Sequence, residues 1–438
     1  MRTPQSLPRS EKPAEAAFRG SSYSLAPTSG SRSGQLSTRT AVVCAALVLA
    51  GVISRRPDLI TNPQLIADEG NWFGDAYMHG VWHSLLHPQA GYLCIGSKLA
   101  NAFAVLVPLV YAPAVCCVFA IAVQVLTFWY LLTPRLELAA PLRARALLCF
   151  LWLGLPNAAE VLTLNNTQWI LATLGALVLL SKPPESILWR IFDIAAIFLM
   201  GLTGPYCILL LPIVVAYWFF RRAKWTLTLL AILGVTAVIQ TYVLTRWPMV
   251  CVPRQVLKNG ALRVLATKVF LVGTLAMNSS AYHAIMTKGA ILPGAIILIG
   301  LTAVVVVLFR APLELRLFVV FACLVVAATA YRLHCDPEWQ WQYLAMPGYA
   351  ERYWYIPKLG YVACLLWLAL DRKLSLLARS IPIIAVLLLT VVSITSWRYP
   401  AFPDYHWSRY ARALQDSPPG TTIAVPVNPG WIITLTKR

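Results

Sequence analysis

The chain has 438 residues, 59% of them apolar and only 12% charged, with a mean hydropathy of +0.67. These values exclude a soluble domain and define an integral membrane protein. Its 36 Lys and Arg against 17 Asp and Glu give a net charge of +19; the cations sit in short loops between apolar runs, where they orient helices and meet anionic lipid rather than nucleic acid.

Residues 1–38 are rich in Ser, Pro and Arg and lack apolar periodicity, so they read as a disordered basic tail on the cytoplasmic side. The apolar run "AVVCAALVLAGVIS" follows, flanked by Arg39, Arg55 and Arg56. No small-residue cleavage site comes after it. It is expected to remain as a first helix whose arginines snorkel. Residues 65–93, "LIADEGNWFGDAYMHGVWHSLLHPQAGYL", then gather Asp68, Glu69 and Asp75 with half of the six histidines. Asp75, His79, His83 and His87 recur every four residues, which makes one stripe on a helix, although Gly80 and Pro88 weaken that helix. Neighbouring pairs have the spacing for a divalent cation, which stays an open option. Hydrogen bonding of these histidines to head groups or substrate hydroxyls is the favoured reading, and no metal or other cofactor is expected to be required.

Apolar stretches of near-spanning length recur to about residue 396, so helices rather than a barrel do the crossing. The basic clusters Arg135/Arg143/Arg145, Lys182/Arg190, Arg221/Arg222/Lys224, Arg310/Arg316 and Arg372/Lys373/Arg379 are expected to share the cytoplasmic side with the N-terminus. That holds only if "GYLCIGSKLANAFAVLVPL", residues 91–109, lies along the outer surface as an interfacial helix. About eleven spans result, near 41–54, 112–132, 144–158, 168–181, 191–203, 206–220, 226–244, 290–309, 316–331, 358–370 and 380–396. The N-terminus is then inside and the C-terminus outside. "LTGPY", residues 202–206, becomes an outer turn.

Four stretches converge outside on this topology: "ADEGNWFGDAY", "PNAAEVLTLNNTQW" (156–169), "TGPY", and "YRLHCDPEWQWQYLAMPGYAERYWYIPK" (331–358). Glu160, Asn165, Asn166 and Gln168 are costly against lipid and should line a polar outward cavity or bond one another. Most of the ten cysteines fall in apolar runs and act as small hydrophobes, while Cys251 and Cys335 fall in outer loops where pairing is open. Within residues 397–438, Asp404 is placed to cap a helix running to about Gln415, and "TTIAVPV" and "WIITLT" have strand character. This small extracytoplasmic segment is expected to pack over the cavity.

A retained first helix, an outer loop with a "DE" pair, a "HP..GYL" interfacial helix, and helix pairs turning at an outer "TGP" together resemble the GT-C superfamily of polyprenyl-phosphate-sugar-dependent membrane glycosyltransferases. The likeness covers roughly residues 40–225. It implies an all-α polytopic bundle in residues 39–396, a bacterial inner-membrane location and cell-envelope glycan synthesis. The expected activity moves a sugar, with inversion, from a polyprenyl-phosphate-linked donor to a glycan, lipid or protein acceptor on the extracytoplasmic face. In the family a first-loop acid acts as base, which places Asp68 in that role with Glu69 as its rival.

The residues give separate chemical grounds. Transfer needs a carboxylate to take the acceptor proton, and partial desolvation tunes one upward. The departing phosphate needs placed cations. Arg352, among Tyr349, Tyr353, Trp354 and Tyr355, is the first candidate, with Lys98 and Arg332 behind it. Asp75, His79, His83, Glu160, Asn165, Asn166, Gln168 and Tyr353 are candidates for sugar or acceptor contacts; an interfacial aromatic belt and a helix-packing polar network are the plainer alternatives. The rival functions are a polysaccharide (O-antigen-type) polymerase and a transporter or flippase. No Walker loop, GxGxxG, nucleophile elbow or HExxH supports ATP, dinucleotide, serine-hydrolase or zinc-protease chemistry.

Overall fold

The computed structural model describes residues 38–136, 140–156, 158–247, 260–271, 285, 289, 291–331 and 350–438. Those residues are mostly helical. The first half holds α1 (Thr38–Arg55), α2 (Asp58–Thr61), α3 (Asp68–His79), α4 (Val81–Leu86), α5 (Ile95–Ala104), α6 (Ala112–Leu132), α7 (Leu142–Leu153), α8 (Thr167–Leu179), α9 (Ile187–Gly201) and α10 (Tyr206–Arg221). The second holds α11 (Lys224–Arg246), α12 (Gly260–Leu265), α13 (Ile291–Arg310), α14 (Leu313–Tyr331), α15 (Glu351–Leu370), α16 (Leu376–Thr395) and α17 (Trp407–Asp416). A hairpin of β1 (Thr422–Val427) and β2 (Trp431–Thr436) ends the chain, paired antiparallel with Val427 opposite Trp431.

Six helical stretches among the described residues are long and apolar enough to cross a membrane: Leu109–Leu132, Lys224–Arg246, Ile291–Arg310, Leu313–Ala330, Glu351–Leu370 and Leu376–Thr395. Each remaining expected span also coincides with a helix, but α7, α8, α9 and α10 run only 12, 13, 15 and 16 residues, short of the roughly 20 that a hydrocarbon core asks for. Residues 91–109 do not form a long helix. Their helix α5 has ten residues, a rise of about 15 Å, half a bilayer core. It is not laid on a surface either, because Gly96, Ser97, Lys98, Ala100 and Asn101 are buried.

Helix α8 forms the centre. Every residue from Thr167 to Leu179 is buried, so it needs no polar face and reads as an uncharged, mostly apolar run. Helices α6, α9 and α10 pack round it, and α14, α15 and α16 continue the bundle in sequence order. Leu298, Phe309, Leu377 and Leu387 stay exposed on the outer helices α13 and α16, the apolar surface that a bilayer covers.

The arginines at the end of α1 do not snorkel. Arg55 and Arg56 are buried; Arg55 donates to the carbonyls of Gly154 and Leu155 at 3.3 and 2.9 Å and lies 4.1 Å from the Tyr399 ring centroid. Arg56 pairs with Asp58 at 3.3 Å and donates to the Pro400 carbonyl at 3.0 Å. Both hold the segment after α16 against the start of the first loop, because that segment supplies ring faces and carbonyls where water or lipid head groups would otherwise be needed.

That anchoring starts the C-terminal segment on its path to α3. Asp404 accepts the His406 N–H at 2.7 Å just ahead of α17. The hairpin then lies on α3, where Val427 and Ile433 approach Gly70 and Leu435 approaches Gly74. Glycines four residues apart share one face, and their missing side chains let the hairpin in. The strand character of "TTIAVPV" and "WIITLT" is realised in Thr422–Val427 and Trp431–Thr436, so the described residues hold one small sheet beside the helices.

Candidate functional site

At one end of the bundle a cavity of about 530 Å³ is lined by Asp68, Trp72, Gln89, Tyr92, Asn165, Asn166, Gln168, Trp169, Tyr206, Arg352, Tyr353 and Trp431, with Ile208, Leu209, Leu244, Val325 and Ala328 as apolar wall. A second, largely apolar cavity of about 380 Å³ lies at the other end of the same helices, against Leu177 of α8, Phe318 of α14 and Leu366 of α15. Arg145 lines that second cavity. The acidic loop and the basic clusters therefore sit at opposite ends.

Asp68 opens α3 just after Ala67, which holds φ 50°. Ala90 in the cavity wall and Ala350, two residues before Arg352, take φ 50° and 55°. Alanine pays about 1–3 kcal/mol for such a backbone, and these conformations persist only where the surroundings fix them. Gly204 (φ 85°) does the same without strain at the 202–206 turn, and a Cβ there would come 2.7 Å from Gln168 Oε1. That turn meets the 93–96 segment: Gly204 N donates to Leu93 O at 2.8 Å and Gly96 N to Thr203 Oγ1 at 2.8 Å. Sequence-distant stretches are thus stitched together by hydrogen bonds that satisfy backbone N–H groups.

Of the two acidic candidates only Asp68 lines the cavity; Gln89 Nε2 donates to its Oδ1 at 3.2 Å. Glu69 is buried. Its two oxygens accept the backbone N–H of Ile66 at 3.1 Å and of Asn165 at 2.8 Å, clamping the first loop to the start of α8. Burial pushes its carboxyl up to about 8 even though the backbone donors and their hydrogen bonds favour the anion.

Arg352 begins α15 and pairs with Glu160, whose carboxylate also accepts the Arg352 backbone N–H at 3.4 Å. Its guanidinium lies 5.0 Å from the Tyr353 ring centroid, and Tyr353 meets Trp169 edge-on at 5.9 Å. Glu160 is thereby placed as the partner of Arg352 and is not among the side chains that line the cavity. Asn165, Asn166 and Gln168 do line it, and Gln168 Nε2 reaches the Tyr92 hydroxyl at 3.4 Å. Three polar atoms on cavity residues have no hydrogen-bond partner among the described residues: Trp72 Nε1, Gln168 Oε1 and Trp169 Nε1. Buried groups of this kind cost about 1–3 kcal/mol each unless a ligand or water completes them.

Lys98 is not brought to the cavity. Its ammonium is buried and donates to the carbonyls of Ser84 at 2.8 Å and His87 at 2.5 Å, tying α4 to α5, and burial lowers its proton affinity. The histidine stripe is also elsewhere. Gly80 (φ 100°) ends α3 and α4 starts again after it, and His87 leaves the helix ahead of Pro88 as the sequence implied. His79, His83 and His87 remain exposed with successive ring centroids 5.5 Å apart, and Asp75 approaches His83 at 3.6 Å. Among the described residues no group of three or more His, Cys, Asp or Glu is arranged to hold a metal ion. Arg332, Tyr349, Asp336, Glu338, Cys251 and Cys335 lie outside the described residues, as does the tail to residue 37.

The sequence reading missed several residues. Trp72 and Gln89 were inside the quoted loop, but their chemistry carries no motif. Glu351 and Lys358 form a buried triad with Lys268; the spacing of Glu351 and Lys358, two helical turns, placed them on one face, whereas Lys268 lay in a stretch with no assigned element. In the sequence Trp431 signals only the start of a strand. No family model matches this sequence, and no curated protein matches it.

Proposed function

We propose that this membrane protein is a glycosyltransferase of the GT-C type, moving a sugar from a polyprenyl-phosphate-linked donor to an acceptor hydroxyl with inversion. In this reading the helices coincident with the eleven expected spans all cross the bilayer, thinned or tilted where short. The N-terminus and basic loops are cytoplasmic, and the Asp68 cavity opens to the extracytoplasmic side of a bacterial inner membrane. One observation carries it: Asp68 and Arg352, far apart in sequence, line a single cavity that also has an apolar helical wall at Ile208, Leu209, Leu244, Val325 and Ala328. A carboxylate, a cation and an apolar wall match the three parts of the reaction: acceptor hydroxyl, phosphate and lipid chain.

Asp68 takes the proton of the acceptor hydroxyl as that oxygen attacks the anomeric carbon. The bond from that carbon to the phosphate oxygen breaks, and the phosphate leaves as an anion facing Arg352. Gln89 orients Asp68 through its hydrogen bond, and Tyr353 supports the guanidinium from one face. No metal or cofactor enters these steps.

The test is mass spectrometry of lipid-linked sugars and surface glycans in cells with and without the protein, followed by Asp68→Asn. Loss of the glycan and accumulation of the lipid-linked donor in both the null and the Asp68→Asn cells support the reading, provided the variant reaches the membrane in normal amount. Near-normal glycan in the Asp68→Asn cells removes the base. The buried Lys268–Glu351–Lys358 triad favours a second reading, a transporter, because ionisable groups inside a helical bundle often serve ion pathways; solute flux with no covalent product would select it.

A further inference from the structure

Of the residues that line the cavity, Asp68, Trp72, Gln89 and Trp431 come from the first loop and the C-terminal hairpin, whereas Arg352 and the apolar wall come from the bundle helices. Trp431 stands on the hairpin side. It lines the cavity yet is 45% exposed, so one indole face is available at the edge of the cavity. Its position relative to Asp68 is fixed through the backbone, since Asn428 N donates to Leu65 O at 3.2 Å and Asn428 O accepts from Ala67 N at 2.6 Å. In the same cavity, Trp72 on α3 is 4% exposed and has an indole N–H with no partner among the described residues. The amide of Gln89 completes the group.

We propose that this hairpin is a saccharide platform: Trp431 takes the apolar C–H face of a pyranose, and Gln89 and the Trp72 N–H meet its hydroxyls beside Asp68. A pyranose ring has that two-sided chemistry, apolar across its face and hydrogen-bonding around its rim. A lipid alcohol offers no rim of hydroxyls, and a peptide serine offers no flat apolar face. The proposal rests on the transferase reading for the sugar's role as acceptor, and it narrows the acceptor to a glycan.

The experiment is saturation-transfer difference NMR on the purified full chain in nanodiscs, using methyl glucoside, methyl galactoside, methyl mannoside and methyl N-acetylglucosaminide as probes. In the wild type at least one of them should receive saturation on its axial ring protons. Trp431→Ala should weaken that binding about tenfold, the size of one aromatic contact, while Trp431→Phe keeps most of it. Trp82→Ala, which removes a 77% exposed indole on α4, should leave it unchanged. Equal binding by Trp431→Ala and wild type at equal melting temperature overturns the proposal, as does saturation of none of the four sugars. An equal loss in Trp82→Ala makes Trp431 a membrane-interface aromatic and overturns it too. Binding of decaprenyl phosphate to wild type and Arg352→Ala is measured alongside. Sugar binding that depends on Trp431, without any phosphate-lipid binding, leaves the platform standing and removes the transferase reading; the reverse pattern removes the platform alone.

Discussion

The main-chain oxygen of Asn428 accepts the N–H of Ala67 at 2.6 Å, one residue before Asp68. The C-terminal hairpin is therefore part of the scaffold that sets the proposed base, and whatever lifts the hairpin should also unsettle Asp68.

Gly70 is the position at which to lift it. A Cβ there would meet Ile433 Cγ2 at 3.1 Å and Val427 at 3.3 Å, so Gly70→Leu overpacks the contact between α3 and the hairpin at a cost of about 1–3 kcal/mol. The expected outcome is a lowered melting temperature together with faster proteolysis between residues 397 and 438 while the bundle stays intact. Unchanged cleavage would mean that the hairpin is held by its backbone bonds alone.

Glu69 predicts a pH dependence with a definite sign. Its carboxyl is raised from 4.5 to about 8, mainly by burial, so between those values the folded protein keeps a proton that the unfolded chain has released. Stability from the neutral acid is complete below about 4.5, declines as pH rises across that window, and is lost once pH passes about 8. Glu69→Gln copies the neutral form and should flatten the slope. Melting temperatures of both proteins from pH 5 to 9 test this, and parallel curves would count against it.

Asp193 is fully buried and takes both guanidinium nitrogens of Arg135, at 2.5 and 2.8 Å, plus the Trp225 indole N–H at 2.9 Å. Asp193→Ala strands a buried arginine and should cost about 3–5 kcal/mol, whereas the double change Arg135→Leu with Asp193→Leu should recover most of it. Thermal unfolding in one detergent, with the two single variants and the double, completes the cycle.

How far the sequence carries follows from the kind of physics each feature obeys. Helix α8 is legible because burial on every side leaves an uncharged, mostly apolar run, and "TTIAVPV" and "WIITLT" are legible because β-branched residues around a Pro-Gly turn form a local pattern. Asp68 stands out because the chain has only 17 Asp and Glu, and Arg352 because tyrosines and a tryptophan surround it; that the two line one cavity is visible only in the structure. Burial of Arg55 and Arg56 is not legible, since it depends on Tyr399 and Phe402 folding back from the far end of the chain. The same holds for Lys98: its ordinary role, donating to the carbonyls of Ser84 within α4 and His87 at its end, is set by where α4 lies against α5. Glu160 and Arg352 were each singled out, but nothing in either segment says that they pair.

That pair allows a structural role to be separated from a functional one. In the proposed mechanism Arg352→Ala removes a preorganised donor for the departing phosphate and should lower transfer on the order of 100-fold or more, but it also breaks the ion pair with Glu160, so loss of fold would explain the same result. Exchanging the two, Glu160→Arg with Arg352→Glu, preserves the ion pair while turning a carboxylate toward the phosphate. If Arg352 serves only to hold α15 against residues 159–162, the exchanged protein should melt normally and keep its activity. If it binds phosphate, the exchanged protein should melt near the wild-type temperature and show no transfer and no decaprenyl phosphate binding, which is the expected outcome.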